Sequence, residues 1–336
     1  MGNQWNLNEI VSKGVFMVSV FLIATAARGE WLLFIVYLGK DHLQEYFDIH
    51  DGFTNTTAAT TTTGVSTLER MGLKDLHIYT IFAVLVSFST FWGIGLSFDK
   101  YFYKNRKNQP ESWKCQPDRW LTRSNEWHEF ILGSTNMFLG SVGSGFISCY
   151  IMNGGQNKLY TNISDYGWGY FLLSIPALFF YNEAISYYPH RFFHNPWLYK
   201  KVHKIHHRYG SPTLYSTTAM HPLEFLMYQT FLAIPVFTVP VHAVVFVTIL
   251  LYGYYYGMMD HSGIKMDAVW PWQPSSMFHD DHHRYFHCNF GFNTLIFDRF
   301  HGTLRKKNYK YGEKVFGGDG KAEDNAKQKT SEFYKY

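Results

Sequence analysis

The stretch IYTIFAVLVSFSTFWGIGLSF, Ile78 to Phe98, contains no charged residue. At the rise of an α-helix it is long enough to cross the ~30 Å hydrocarbon core of a bilayer. A second uncharged run extends from Ile131 to Met152, and a shorter third, Trp168 to Tyr181, ends in Asn182 and Glu183. The fourth, Leu223 to Met259, is interrupted by Pro235 and Pro240. Its halves are marginal for full spans, so a hairpin dipping into and out of the membrane is expected. A composition that is 46% hydrophobic would suit a large soluble domain equally well. The gathering of apolar residues into long uncharged runs decides against that and predicts an all-α, polytopic membrane protein.

The first apolar segment admits two readings. Gly14 to Ala27 ends in Ala24-Thr25-Ala26, which suits a cleaved signal peptide, but Trp31 to Leu38 resumes the apolar run and allows one span from Gly14 to Gly39. Asn6 stands where myristoylation favours Ser or Thr. The net charge of +4 says little and suggests no nucleic-acid partner. Its placement says more: Lys100, Lys104, Arg106, Lys107, Lys114, Arg119 and Arg123 crowd one loop, and positive loops stay cytosolic. The flanking loops each carry a glycosylation sequon, Asn55-Thr56-Thr57 and Asn162-Ile163-Ser164, in the phase this topology requires. Cys115, Cys149 and Cys288 have no metal-type spacing and are read as buried or reduced thiols. Gly140-x-x-x-Ser144 is read as a site of close helix packing.

On this topology the chain reaches the cytosolic surface near His190, where a histidine-rich cap begins. His190 and His194 form H-x-x-x-H; His203, His206 and His207 form H-x-x-H-H; His279, His282 and His283 form a second H-x-x-H-H. With histidine at about one residue in twenty, such a triplet arises by chance roughly 0.04 times in a chain of this length. Residues three and four apart share a helix face, so each box can aim two or three imidazoles at one point. Neutral imidazole suits iron, zinc and copper. Eight histidines exceed the needs of one ion, since a structural zinc takes four ligands and a catalytic zinc three. Two ions are therefore expected, and no catalytic residue beyond the metal site. Glu183, two helical turns before His190, is a candidate to orient a ligand ring. His242, His287 and His301 are read as structural.

The order and spacing of the boxes resemble the fatty acid hydroxylase and sterol desaturase superfamily of membrane di-iron enzymes, over roughly Glu129 to Thr303. Further points of likeness are Tyr187-Tyr188 before His190-Arg191, Asn195-Pro196, His221-Pro222-Leu223-Glu224, and Asp298-Arg299 leading to His301-Gly302-Thr303. The resemblance implies two non-heme iron ions and further histidine ligands, for which His221 and His261 are the candidates. His261-Ser262-Gly263 and the run through His287-Cys288-Asn289-Phe290 look closest to the C-4 methylsterol oxidase and sterol hydroxylase branches. The implied activity is dioxygen-dependent hydroxylation of a membrane lipid, a sterol first. Fatty acid or sphingolipid hydroxylation and sterol desaturation are the alternatives. A lipid- or metal-binding scaffold without turnover is the alternative outside catalysis. No His-Pro-Gly-Gly stretch is present, so the resemblance implies a separate electron donor, cytochrome b5 with an NAD(P)H-dependent reductase. It also implies the endoplasmic reticulum membrane. The expected organisation is N-terminal membrane segments over residues 1–128, a di-iron domain over 129–312 and a polar tail over 313–336.

Overall fold

The computed structural model describes residues 66–268 and 270–322. The segment Gly14 to Gly39, the Thr-rich stretch with Asn55, and residues 323–336 of the tail lie outside the described residues. Inside a bilayer a helix satisfies its backbone N–H and C=O groups within one segment, and the uncharged runs become helices. They are α1 (Leu76–Phe98, 23 residues), α2 (Arg123–Met152, 30 residues), α3 (Gly167–Phe193, 27 residues), α4 (Pro222–Thr238, 17 residues) and α5 (Ala243–His261, 19 residues). Two short helices follow, α6 (Met277–Tyr285) and α7 (Ile296–His301). Among the described residues three helices are long and apolar enough to cross a membrane: α1 with its continuation to Lys104, α2 and α5. The protein is an all-α polytopic membrane protein, and its described strands are two-residue pairings.

The connections sort the bundle into two ends. At one end Leu159–Tyr160, before α3, pairs in parallel with Val241–His242, in the turn between α4 and α5. His242 caps α5 there; its Nε2 lies 2.8 Å from the Thr161 carbonyl, and its ring packs edge-on against Tyr160 and Phe171. Asn162 belongs to this end. At the other end lie the last residues of α3 and α5, the first residues of α4, and α6, so every histidine box sits on one side of the bundle. The hairpin of α4 and α5 forms as expected, with a stronger second arm. Beginning after Pro240, α5 runs unbroken to His261 and is itself long and apolar enough to cross.

α1 packs along α2, and glycine sets the distance. A β-carbon on Gly145 would stand 2.7 Å from the Thr80 Cα, so the two backbones touch. Gly140 lies instead against the Phe225 ring of α4, so the glycine cluster serves two interfaces. Gly145→Leu is expected to destabilise the bundle by about 1–3 kcal/mol through forced separation of α1 and α2. Thermal unfolding of the detergent-solubilised protein, compared with Gly143→Ala where the added β-carbon meets nothing, reads this out.

The basic loop is more than a topological signal. Lys114 is 1% exposed and donates to Ser211 Oγ at 2.5 Å. Cys115 N–H donates to the Gly263 carbonyl, Lys265 N–H to the Trp113 carbonyl, and Gln116 Nε2 to the Gly210 carbonyl. Residues 113–116 are thus stitched to the histidine-bearing end.

Candidate metal centre

Nine histidines converge at that end in two buried groups. His190, His194, His203, His207 and His282 form one; His206, His261, His279 and His283 form the other. Within each group one ring nitrogen per residue lies within 4.8 Å of all the others. The repeated H-x-x-H-H spacing explains the division. Positions i and i+4 project from nearly the same side of a helical turn, while position i+3 is rotated the other way. In the second box His203 and His207 join the five-histidine group, and His206 turns to the other. In the third box His279 and His283 join the four-histidine group, and His282 crosses back. Each H-x-x-H-H box therefore serves two points, where the sequence suggested one, while His190 and His194 of the first box stay together. The boxes exchange their middle histidines.

For His190, His203, His206, His261 and His282 the outer ring nitrogen shows which nitrogen the imidazole offers inward. His190 Nδ1 lies 2.9 Å from the Phe290 carbonyl, His282 Nδ1 2.7 Å from Cys288 O, His261 Nδ1 2.7 Å from Gly257 O, and His206 Nδ1 3.2 Å from Ala219 O. A carbonyl only accepts, so each Nδ1 carries the proton and each Nε2 keeps its lone pair for the interior. His203 follows the same rule through a carboxylate: its Nδ1 lies 2.6 Å from Glu224 Oε1, with both side chains buried. The consequence is visible in the centre, where Nε2 of His203 and Nε2 of His282 are buried without a hydrogen-bond partner. Elsewhere Nε2 faces Nε2, at 2.9 Å for His279 and His261 and 3.2 Å for His207 and His194. Buried ring nitrogens that are unpaired, as on His203, His207, His279, His282 and His283, are costly unless a cation satisfies them. The donor set of each group fits a metal ion.

Burial foremost, with neighbouring imidazoles adding to it, holds His206, His207, His279, His282 and His283 well below the usual histidine range. They are neutral at physiological pH, the form that ligates. Burial also raises the Cys288 thiol, which stays protonated and is no thiolate ligand.

The turn after α6 supplies much of this bracing. Phe286 and Asn289 both have positive φ, 72° and 55°. Asparagine tolerates that conformation, and here its Nδ2 donates to the Phe278 carbonyl while its Oδ1 accepts from Arg305 N–H. Asp298 accepts from the N–H groups of Phe290 and Gly291. The turn thus presents the carbonyls of Cys288 and Phe290 to His282 and His190.

Two of the expected site residues stand elsewhere. His221 belongs to neither group: it caps α4, its Nδ1 accepting from Leu223 N–H at 3.2 Å, with Pro222 at the first helical position. Glu183 touches no histidine; it accepts from Asn293 N–H at 3.1 Å, from Asn293 Nδ2 and from Thr294 Oγ1 at 2.7 Å, fixing the loop before α7. The carboxylate that does brace a histidine is Glu224. Its signal in the sequence is its place three residues after His221 in the His-Pro-Leu-Glu run.

A cavity between α3, α4 and α5 opens onto the two groups. His190, His203, His206, His261 and His279 form its floor, and Ile185, Phe225, Leu232, Leu250 and Phe292 are among its apolar walls. A second apolar cavity, between α2, α4 and α5, shares Gln229, Leu232 and Leu250 with the first. The two cavities thus adjoin, the first reaching the histidines.

Residues 175–303 match the family described as fatty acid hydroxylase. The chain is 33% identical over 152 residues to a Delta(7)-sterol 5(6)-desaturase of Schizosaccharomyces pombe, covering 45% of this chain and 50% of that protein. It is 29% identical over 155 residues to the lathosterol oxidase of Mus musculus, covering 45% and 52%, and 29% identical over 153 residues to a Delta(7)-sterol 5(6)-desaturase of Gibberella zeae, covering 45% and 47%. The chain spans about half the length of these curated relatives. No solved structure matches it at a comparable level. These relatives do not specify the C-4 methylsterol oxidase branch that the run around His287 suggested. The match to the fatty acid hydroxylase family at residues 175–303 spans all nine clustered histidines, and the relatives that share this stretch are sterol desaturases and a lathosterol oxidase.

Proposed function

We propose that this protein is a membrane oxidoreductase that oxidises a sterol with dioxygen at a pair of histidine-held iron ions. The observation that carries the reading is the floor of the apolar cavity, which is made of histidines from both groups. The nine clustered histidines are the proposed ligands, and His221 is left out because it caps a helix. When bound, two redox-active irons supply the activation of dioxygen needed to take hydrogen from an unactivated C–H bond. The protein's part is to hold the substrate against that floor and to keep bulk water away. Phe292 and Leu250 bound the cavity where a flat apolar ring system would lie, and the Glu224–His203 pair holds one ligand ring in place.

The names of the relatives favour a carbon–carbon double bond as the outcome, and hydroxylation is the second outcome of the same hydrogen abstraction. Electrons would come from cytochrome b5 and its reductase on the cytosolic side of the endoplasmic reticulum, the side proposed for the histidine end. Microsomes holding the protein, supplied with NAD(P)H, oxygen and separate sterol and fatty acyl substrates, test the proposal. A desaturated or hydroxylated sterol is expected, and conversion of acyl lipids alone would refute the sterol assignment. Leu232→Trp, at the junction of the two cavities, is expected to cut sterol turnover at least about tenfold while bound metal is unchanged. Turnover and metal content measured on one preparation check this.

A further inference from the structure

Among the ligands proposed for the five-histidine group, His194 differs in its support. Its Nδ1 meets another ring nitrogen, His287 Nδ1, at 2.8 Å. The other side of that ring is fixed, because His287 Nε2 lies 2.8 Å from the Glu313 carbonyl. A carbonyl accepts only, so His287 carries its proton on Nε2 and presents a bare Nδ1. His194 must then donate from its own Nδ1, which leaves the His194 Nε2 lone pair facing His207 and the centre. One backbone carbonyl thus sets the tautomers of two imidazoles in series. The Phe316 ring lies against His287 at 4.1 Å between centroids, Tyr199 flanks it at 4.8 Å, and Lys204 pairs with the Glu313 carboxylate.

We infer that His287 is a positioning residue for the metal centre, its tautomer set by the Glu313 carbonyl from a segment beyond the family match at 175–303. The polar tail expected from residue 313 therefore has a working first segment: Phe316 and Gly317 also wall a cleft that reaches His194 from the side of Tyr188 and Arg191. His287 lies outside the metal-bearing groups and acts through His194. The inference rests on the metal reading above, but a different observation decides it.

The two bonds of His287 can be separated by substitution. Asparagine places an acceptor oxygen near the former Nδ1 and loses the link to Glu313. Glutamine places a donor near the former Nε2 and loses the acceptor for His194. Each variant and the wild type would be loaded with cobalt(II), and the visible ligand-field bands and the cobalt affinity recorded on monodisperse protein. His287→Asn is expected to keep the wild-type bands and affinity. His287→Gln is expected to shift the bands and weaken one cobalt site about 10–100-fold, the usual effect of removing a ligand's outer partner. Wild-type bands in the Gln variant, or altered bands in the Asn variant, would overturn the inference. A wild type that takes up no cobalt would instead refute the metal reading itself.

Discussion

His282→Ala is expected to lower bound metal from about two ions per chain to about one and to reduce sterol oxidation by more than about a hundredfold. His282 belongs to the five-histidine group although its neighbours in the box, His279 and His283, belong to the other. Its loss therefore damages one site and leaves the second with its full set. His206→Ala is the mirror case: it removes a ligand from the four-histidine group while His203 and His207 remain in theirs. Both variants should insert and fold, since each removes one buried polar ring. His242→Ala, at the far end of α5, should keep both ions. Elemental analysis of the three purified variants beside a turnover assay checks the set. Loss of both ions from each box variant would mean that the two groups do not bind independently.

The second large effect is expected at Glu224. Its carboxylate receives the His203 Nδ1 proton at 2.6 Å in a fully buried setting, where charge-assisted bonds are strongest. Glu224→Ala leaves that proton without a partner and frees the ring to turn, so metal affinity or activity should fall about 10–100-fold. Glu224→Gln retains an acceptor oxygen and removes the charge, so its loss should be smaller. Competition with a chromophoric chelator ranks the three proteins. Equal affinity in all three would assign Glu224 to packing alone.

How much of this could be read from the sequence depended on the range of the interaction. The uncharged runs from Ile78 and Ile131 declared helices because their signal is local, and the boxes declared imidazole clusters because i, i+3 and i+4 are local too. His261 was reached through the His-Ser-Gly triplet, and it closes the four-histidine group from the end of α5. The division of the two H-x-x-H-H boxes between the groups was not legible, because it depends on how residues 203–207 and α6 are turned against α3 and α5. Glu224 was quoted but given no role, because it meets His203 only when α4 folds back over the second box. His221 stands instead at the head of α4, where the proline that follows it makes it a helix cap. The His194–His287–Glu313 series joins three segments far apart in the chain, and no spacing rule points to it.

The central claim is that the two histidine groups hold two metal ions. It is tested most directly by counting metal on the intact, detergent-solubilised protein, by elemental analysis against quantitative amino-acid analysis, after expression in iron-supplemented cells. The account predicts about two ions per chain, chiefly iron, with zinc as the competitor that imidazole sites do not exclude. One ion or none in a folded preparation would contradict it.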